Sequence, residues 1–141
     1  MQRFKGEDRM KNGVKLIIIG LGCSLGAIVR NLAIITVGKA FSVPSAIILA
    51  NVIGCFIMGL FTAWGLKKFI SATWLPFLTT GFCGGLTTFS EFADSSYQIL
   101  IASYTFGALV YILATMLLGL GALWLGMYCV EGKQLKNVYR K

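Results

Sequence analysis

The chain has 141 residues, of which 57% are hydrophobic and 13% charged, and its mean hydropathy is +0.79. That composition excludes an ordinary soluble domain, because too little polar sequence remains to cover a water-facing surface. The net charge of +8 does not signal nucleic acid, since the lysines and arginines lie in the ends and short connections and form no aromatic-studded basic stripe.

A transmembrane helix needs about 20 mostly apolar residues to cross roughly 30 Å of hydrocarbon. Four stretches reach that length, over about residues 14–38, 43–66, 74–100 and 103–129, with polar basic tails at 1–13 and 130–141 around a single membrane domain. The apolar run after the first tail is too long and too glycine-rich for a signal-peptide core, so no cleavage is expected. Beyond Lys15 at its entry, the first span carries one charge, Arg30, and a small-residue pair at Gly22 and Gly26. Ala46, Ala50 and Gly54 repeat that spacing in the second span, and Gly107 and then Gly119 fall on the same spacing in the fourth. Such ridges let helix backbones approach closely where lipid supplies no hydrophobic drive for association. Cys23, Cys55, Cys83 and Cys129 stand singly in apolar sequence without CxxC spacing or any histidine, and read as small packing residues.

Four crossings place both termini and the second loop on one side of the membrane. That side holds Arg3, Lys5, Arg9, Lys11, Lys15, Lys67, Lys68, Lys133, Lys136, Arg140 and Lys141, against Lys39 alone on the other. By the positive-inside rule both termini are expected in the cytoplasm.

The third span is the irregular one. From Thr79 to Phe92 it reads Thr-Thr-Gly-Phe-Cys-Gly-Gly-Leu-Thr-Thr-Phe-Ser-Glu-Phe, in which Gly84-Gly85 followed by Thr87-Thr88 lowers helix propensity at mid-membrane depth. Backbone that leaves the helix there has to be buried in protein or line a polar cavity. A broken helix offers carbonyls to a cation, and amides with a helix N-terminus to an anion. A glycine hinge that only kinks the helix is the plainer alternative.

The run Gly-Phe-Cys-Gly-Gly-Leu-Thr-Thr-Phe-Ser-Glu-Phe, from Gly81 to Phe92, resembles the signature of the CrcB or Fluc family of fluoride channels. Gly26-Ala27-Ile28-Val29-Arg30 resembles the Gly-Ala-x-x-Arg segment of that family's first helix, and Asn51-Val52-Ile53-Gly54-Cys55-Phe56 its Asn-x-x-Gly-x-Phe segment. The three motifs occur in family order, and the resemblance extends from about Leu16 to Gly126. It implies an all-α membrane protein of four transmembrane helices, the third broken mid-membrane, assembled as an antiparallel dimer with two pores. It also implies passive export of fluoride from a bacterial cytoplasm across the plasma membrane, which lowers fluoride toxicity, and a structural sodium ion at the dimer centre. The carbonyls of Gly84 and Thr87 are the matching sodium ligands.

Fluoride is small and strongly hydrated, so a pore must replace its water with closely placed donors. Asn51 offers an amide, Ser90 and Thr88 offer hydroxyls, and Phe89 and Phe92 offer ring edges, the positive end of the aromatic quadrupole. The resemblance makes this phenylalanine pair the pore aromatics; ordinary helix packing is the competing account of any Phe pair at this spacing. Tyr111 and Thr115, one turn apart in the fourth span, fall where the family has polar-track residues, although Thr115 can equally bond its own helix. Arg30 is placed in an anion vestibule, with snorkelling as the alternative. Two positions depart from the family: Ile47 replaces a frequent threonine, and Glu91 a usual small hydroxyl residue, with Asp94 beyond it. A carboxylate beside an anion path is unfavourable unless it faces away, protonates or pairs with a base such as Arg30, so Glu91 is expected to point away from the pore.

An antiparallel homodimer needs one chain to insert in both orientations, which the charge bias opposes, so the partner is either a second copy or a homologous subunit of opposite orientation. A small proton-coupled multidrug exporter also has four short helices, but that chemistry wants a carboxylate in the core of a span, and Glu91 near the end of the third is the only candidate. A non-transporting membrane assembly subunit would account for the small-residue ridges but not for the break. Enzyme chemistry is not expected, for the chain lacks histidine, clustered carboxylates and a nucleophile beside a base.

Overall fold

The computed structural model describes residues 12–102 and 104–131, and every regular element among them is helical. Most of the basic residues from which orientation was read, Arg3, Lys5, Arg9, Lys11, Lys133, Lys136, Arg140 and Lys141, lie outside the described residues. Three long helices coincide with expected spans: α1 (Asn12–Ala40), α2 (Val43–Leu66) and α6 (Thr105–Glu131). Each is long and apolar enough to cross a membrane. The segment expected as the third span is instead a series of pieces. It comprises α3 (Trp74–Pro76), a π-helix (Phe77–Cys83), α4 (Gly84–Leu86), two extended residues, and α5 (Phe89–Ile101).

The helix ends are set locally. Ser42 caps α2 by accepting from the Ser45 N–H, with Pro44 in the first turn, where a missing N–H costs no intrahelical bond. At the other end of α2 the Phe69 N–H reaches Trp64 O and the Lys68 N–H reaches Gly65 O, with Lys68 at φ 59°. This is a Schellman termination completed by a lysine where glycine is usual.

Two seams of close backbone approach organise the bundle. A Cβ on Gly26 would run into the carbonyl of Phe82, and one on Gly85 into that of Cys23, so α1 lies backbone to backbone on the π-helix and α4. The second seam joins α2 to α6, the most extensive helix pair: a Cβ on Gly59 would meet Leu123 O, and one on Gly126 would meet Phe56 O. Residue numbers rise together along both seams. Ile19 lies at Gly81 and Cys23 at Gly85; Cys55 lies at Gly119 and Gly59 at Leu123, and the Lys67 ammonium donates to Val130 O. Thus α2 runs parallel to α6, and α1 parallel to the segmented third stretch. Exposed aromatics gather at both ends, with Trp64, Phe69, Trp74, Trp124 and Tyr128 at one and Phe41, Tyr104 and Phe106 at the other. That is the distribution of membrane-interface belts. All four cysteines are unpaired, and Cys83 is wholly buried.

Candidate functional site

The site grows from the interruption after α4. Thr87 is extended at φ −80°, ψ 149°, and Thr88 at φ −140°, ψ 122°. The glycines Gly84 and Gly85, where the sequence looks weakest, remain helical, because Gly85 is held against the α1 backbone. The β-branched threonines, which favour extended backbone, carry the break instead. Gly54 of α2 makes room for it, since a Cβ there would stand 2.6 Å from Thr87 Cγ2.

Leaving the helix strands the backbone of Thr88, and one side chain from α2 meets it. The Thr88 N–H donates to Asn51 Oδ1 at 2.8 Å, and Asn51 Nδ2 donates to Thr88 O at 3.4 Å. Asn51 and Thr88 are 9% and 6% exposed, so water does not do this work. In an unbroken helix the Thr88 N–H would bond Gly84 O, and the Asn51 contact releases that carbonyl. Gly84 is exposed and Thr87 half-buried, and a Cβ on Gly84 would meet only Thr79 O, at 3.9 Å, so the two residues proposed as cation ligands lie on an open face. The Thr87 N–H and hydroxyl both donate to Cys83 O, at 2.9 and 3.0 Å.

Beyond the break, Thr88 caps α5: its Oγ1 accepts from the Glu91 N–H at 3.3 Å and shares a hydrogen bond with Ser90 Oγ at 3.2 Å. Phe89 is 79% exposed at the start of α5. Its ring lies 5.7 Å from that of Phe92, tilted by 47°, and Phe92 stacks on Tyr111 of α6 at 5.8 Å and 20°. Tyr111 is buried, and its hydroxyl lies beside buried Ser95 without closing a well-formed hydrogen bond to any described residue. The buried Thr115 donates its hydroxyl to Tyr111 O at 2.7 Å, the self-bonded geometry open to any helical threonine.

Arg30 reaches the break from α1. Its Nη1 donates to Gly85 O at 3.0 Å and its Nη2 pairs with Glu91 Oε1 at 3.3 Å, while Arg30 Nε and Glu91 Oε2 are buried with no described hydrogen-bond partner. Of the sequence-derived candidates, Asn51, Thr88, Ser90, Phe89, Phe92 and Tyr111 thus form one connected polar and aromatic track. Arg30 and Glu91 flank it, and Thr115 lies one turn past Tyr111. Sequence reading missed Ser95, one turn after Phe92 and facing Tyr111; the only available signal was a serine inside an expected span. It also missed the contact of Arg30 with Gly85. The track offers donors that an anion could use, the second Asn51 Nδ2 hydrogen and the hydroxyls of the Thr88–Ser90 pair and Tyr111, and offers no nucleophile or base for covalent chemistry.

A family model described as CrcB-like protein, Camphor Resistance (CrcB) matches residues 17–127. The chain is 40% identical over 111 residues to the fluoride-specific ion channel FluC 2 of Rhodococcus jostii (strain RHA1), covering 79% of this chain and 94% of that protein. It is 36% identical over 115 residues to the fluoride-specific ion channel FluC of Flavobacterium psychrophilum, covering 79% and 93%. With the FluC of Methanococcus maripaludis it shares 35% identity over 112 residues, covering 79% and 92%.

Proposed function

The chain belongs to the CrcB family, and on that premise we propose that it is a fluoride-selective channel through which fluoride leaves the cytoplasm down its gradient, lowering its toxicity. It is a channel and not an enzyme. The observation that carries the mechanism is the extended break at Thr87–Thr88, held from both sides by Asn51 and continued by polar groups and ring edges inside an otherwise apolar helical protein. Fluoride sheds its water only where donors replace it. The second Nδ2 hydrogen of Asn51, the one hydroxyl hydrogen that the Ser90–Thr88 pair leaves free, the hydroxyl of Tyr111, which closes no well-formed hydrogen bond to a described residue, and the edges of Phe89 and Phe92 are such donors. Thr115 presents lone pairs while its hydrogen is held by Tyr111 O. The Arg30 guanidinium stands at the vestibule beside the break, its attraction for anions moderated by its pairing with Glu91.

The segmented stretch from Trp74 to Ile101 is the remaining crossing. Parallel α2 and α6 support this, because the chain between them must return through the bilayer. Extended backbone cannot face lipid, and neither can a largely exposed Phe89 beside exposed Ser90 and Gly84 line a pore alone, so a second subunit covers this face. We assign an antiparallel dimer with two pores, formed with a second copy or a homologous chain of opposite orientation, in the bacterial plasma membrane with both termini cytoplasmic. The carbonyl freed at Gly84 and that of Thr87, on an open face, suit a structural sodium ion shared with the partner. A sodium ion held by those carbonyls would supply structural positive charge at the break and would not be transported.

The test is fluoride efflux from liposomes holding the purified chain, followed with a fluoride electrode beside a chloride control and an Asn51→Ala/Phe89→Ile variant. Fluoride-selective efflux that the variant lacks is expected. Equal efflux of both halides would sink the selectivity reading, and efflux restored only by a co-expressed homologous chain would assign the heterodimer.

A further inference from the structure

Thr88-Phe89-Ser90-Glu91 has the composition of a capping box, in which the glutamate side chain normally reaches back to the N–H of the capping threonine. Only half of that box is made. The Glu91 N–H bonds Thr88 Oγ1, but the Thr88 N–H is taken by Asn51 Oδ1, and the Glu91 carboxylate turns instead to Arg30 at 3.3 Å. Arg30 in turn holds Gly85 O at 3.0 Å. The two charges therefore sit on the two helix ends that face each other across the break. A cation meets the carbonyl end of α4 and an anion meets the N–H end of α5, each the sign that the local helix dipole favours.

We infer that Glu91 is a positioning and charge-setting residue: paired with Arg30, it cancels most of the positive field at the start of α5, so that the anion track beside Phe89 and Ser90 binds fluoride weakly enough to release it. Conduction needs affinity sufficient for entry and low enough for exit. An uncompensated Arg30 beside a helix N-terminus would trap anions, and an uncompensated Glu91 would repel them. This inference rests on the channel reading and makes a claim that reading does not, namely opposite effects of the two partners.

Initial efflux rates measured against fluoride concentration in liposomes separate the maximal rate from the half-saturating concentration. Glu91→Gln is expected to lower the half-saturating concentration about two- to fivefold, the weight of one charge at a helix end, and to slow the maximal rate. Arg30→Gln is expected to raise it, Glu91→Gln with Arg30→Gln to return it toward the unaltered value, and Glu91→Asp to leave it within about twofold. A pair that only braces the fold would lower the maximal rate in both single variants and leave half-saturation where it was, which overturns the inference. Should Arg30→Gln not fold, the contrast of Glu91→Gln with Glu91→Asp still decides: equal half-saturation in both overturns it. An unaltered chain that passes no fluoride either alone or with a co-expressed homologous chain overturns the channel reading and this inference together, whereas a conducting chain indifferent to Glu91 overturns this inference alone.

Discussion

Within one helix, α2 makes two close contacts eight residues apart by opposite means. At Gly59 it meets α6 with no side chain at all, so the backbones touch; at Asn51 it meets the break with a full amide that answers the Thr88 N–H and C=O together. Along the Gly59 seam each helix has already satisfied its own backbone, and only shape remains to be matched. At the break the backbone is not self-sufficient, and a polar side chain has to replace the hydrogen bonds the helix gave up. The sites of α2 that resist substitution should therefore fail in different ways.

The seam should fail by geometry. Gly126→Val sets its Cβ against Phe56 O and forces α2 and α6 apart, with an expected loss of about 3 kcal/mol, the upper end of what overpacking of a core usually costs. Gel filtration of detergent-solubilised protein should show aggregate in place of a sharp peak. A sharp peak with an unchanged melting temperature would mean that the seam is looser than its backbone contacts indicate.

The clamp should fail by chemistry. Asn51→Ala leaves two buried backbone groups of Thr88 unpaired, a cost of about 2–4 kcal/mol, and opens the track. The expected result is soluble protein with a lowered melting temperature and fluoride efflux below about one hundredth of normal, since the barrier changes by the same order. Asn51→Asp keeps only the acceptor for the Thr88 N–H and should recover part of the stability but little efflux. Normal efflux from Asn51→Ala would remove Asn51 from the path.

How much of this was legible beforehand follows the same division. The three continuous helices follow from uninterrupted apolar length, and their observed bounds fall within a few residues of the expected ones. The Gly22–Gly26 ridge was readable from spacing, but the seam through Gly59 and Gly126 was not, because glycines among so many are marked as contacts only once their partners are known. Sequence put the weak point across Gly84-Gly85 and Thr87-Thr88; the extended residues are the threonines, because tertiary contact with α1 holds the glycines helical, overriding propensity. Glu91 was expected to avoid the path, with pairing to a base such as Arg30 as one way to offset its charge; the fold selects that pairing, across 61 positions of sequence.

A smaller effect sharpens the role of the cap. Thr88→Val removes the side-chain acceptor for the Glu91 N–H while keeping the β-branched shape that suits extended backbone, so about 1 kcal/mol of stability should go. Thr88→Ser, which retains the hydroxyl, should lose less stability yet loosen the break. If Thr88→Val melts as the unaltered protein does, the Asn51 clamp alone positions the start of α5.

The finest test lies on α6, where two buried hydroxyls one turn apart differ in their bonding. Thr115 gives its hydrogen to Tyr111 O, whereas the hydroxyl of Tyr111 has no described hydrogen-bond partner. Thr115→Val should change stability by less than about 0.5 kcal/mol, since back-bonding within a helix adds little, and should leave efflux within about threefold. Tyr111→Phe keeps the stack on Phe92, and because it deletes a buried hydroxyl that closes no well-formed hydrogen bond to any described residue it should leave the protein as stable as before or slightly more so. If that hydroxyl waits for the ion, the same variant nevertheless loses efflux by about tenfold, the value of one hydrogen bond to a charged group. Stability retained while conduction falls is the signature of a group kept unpaired for a ligand; unchanged efflux from Tyr111→Phe would instead make the ring, through its contact with Phe92, the part of Tyr111 that the pore uses.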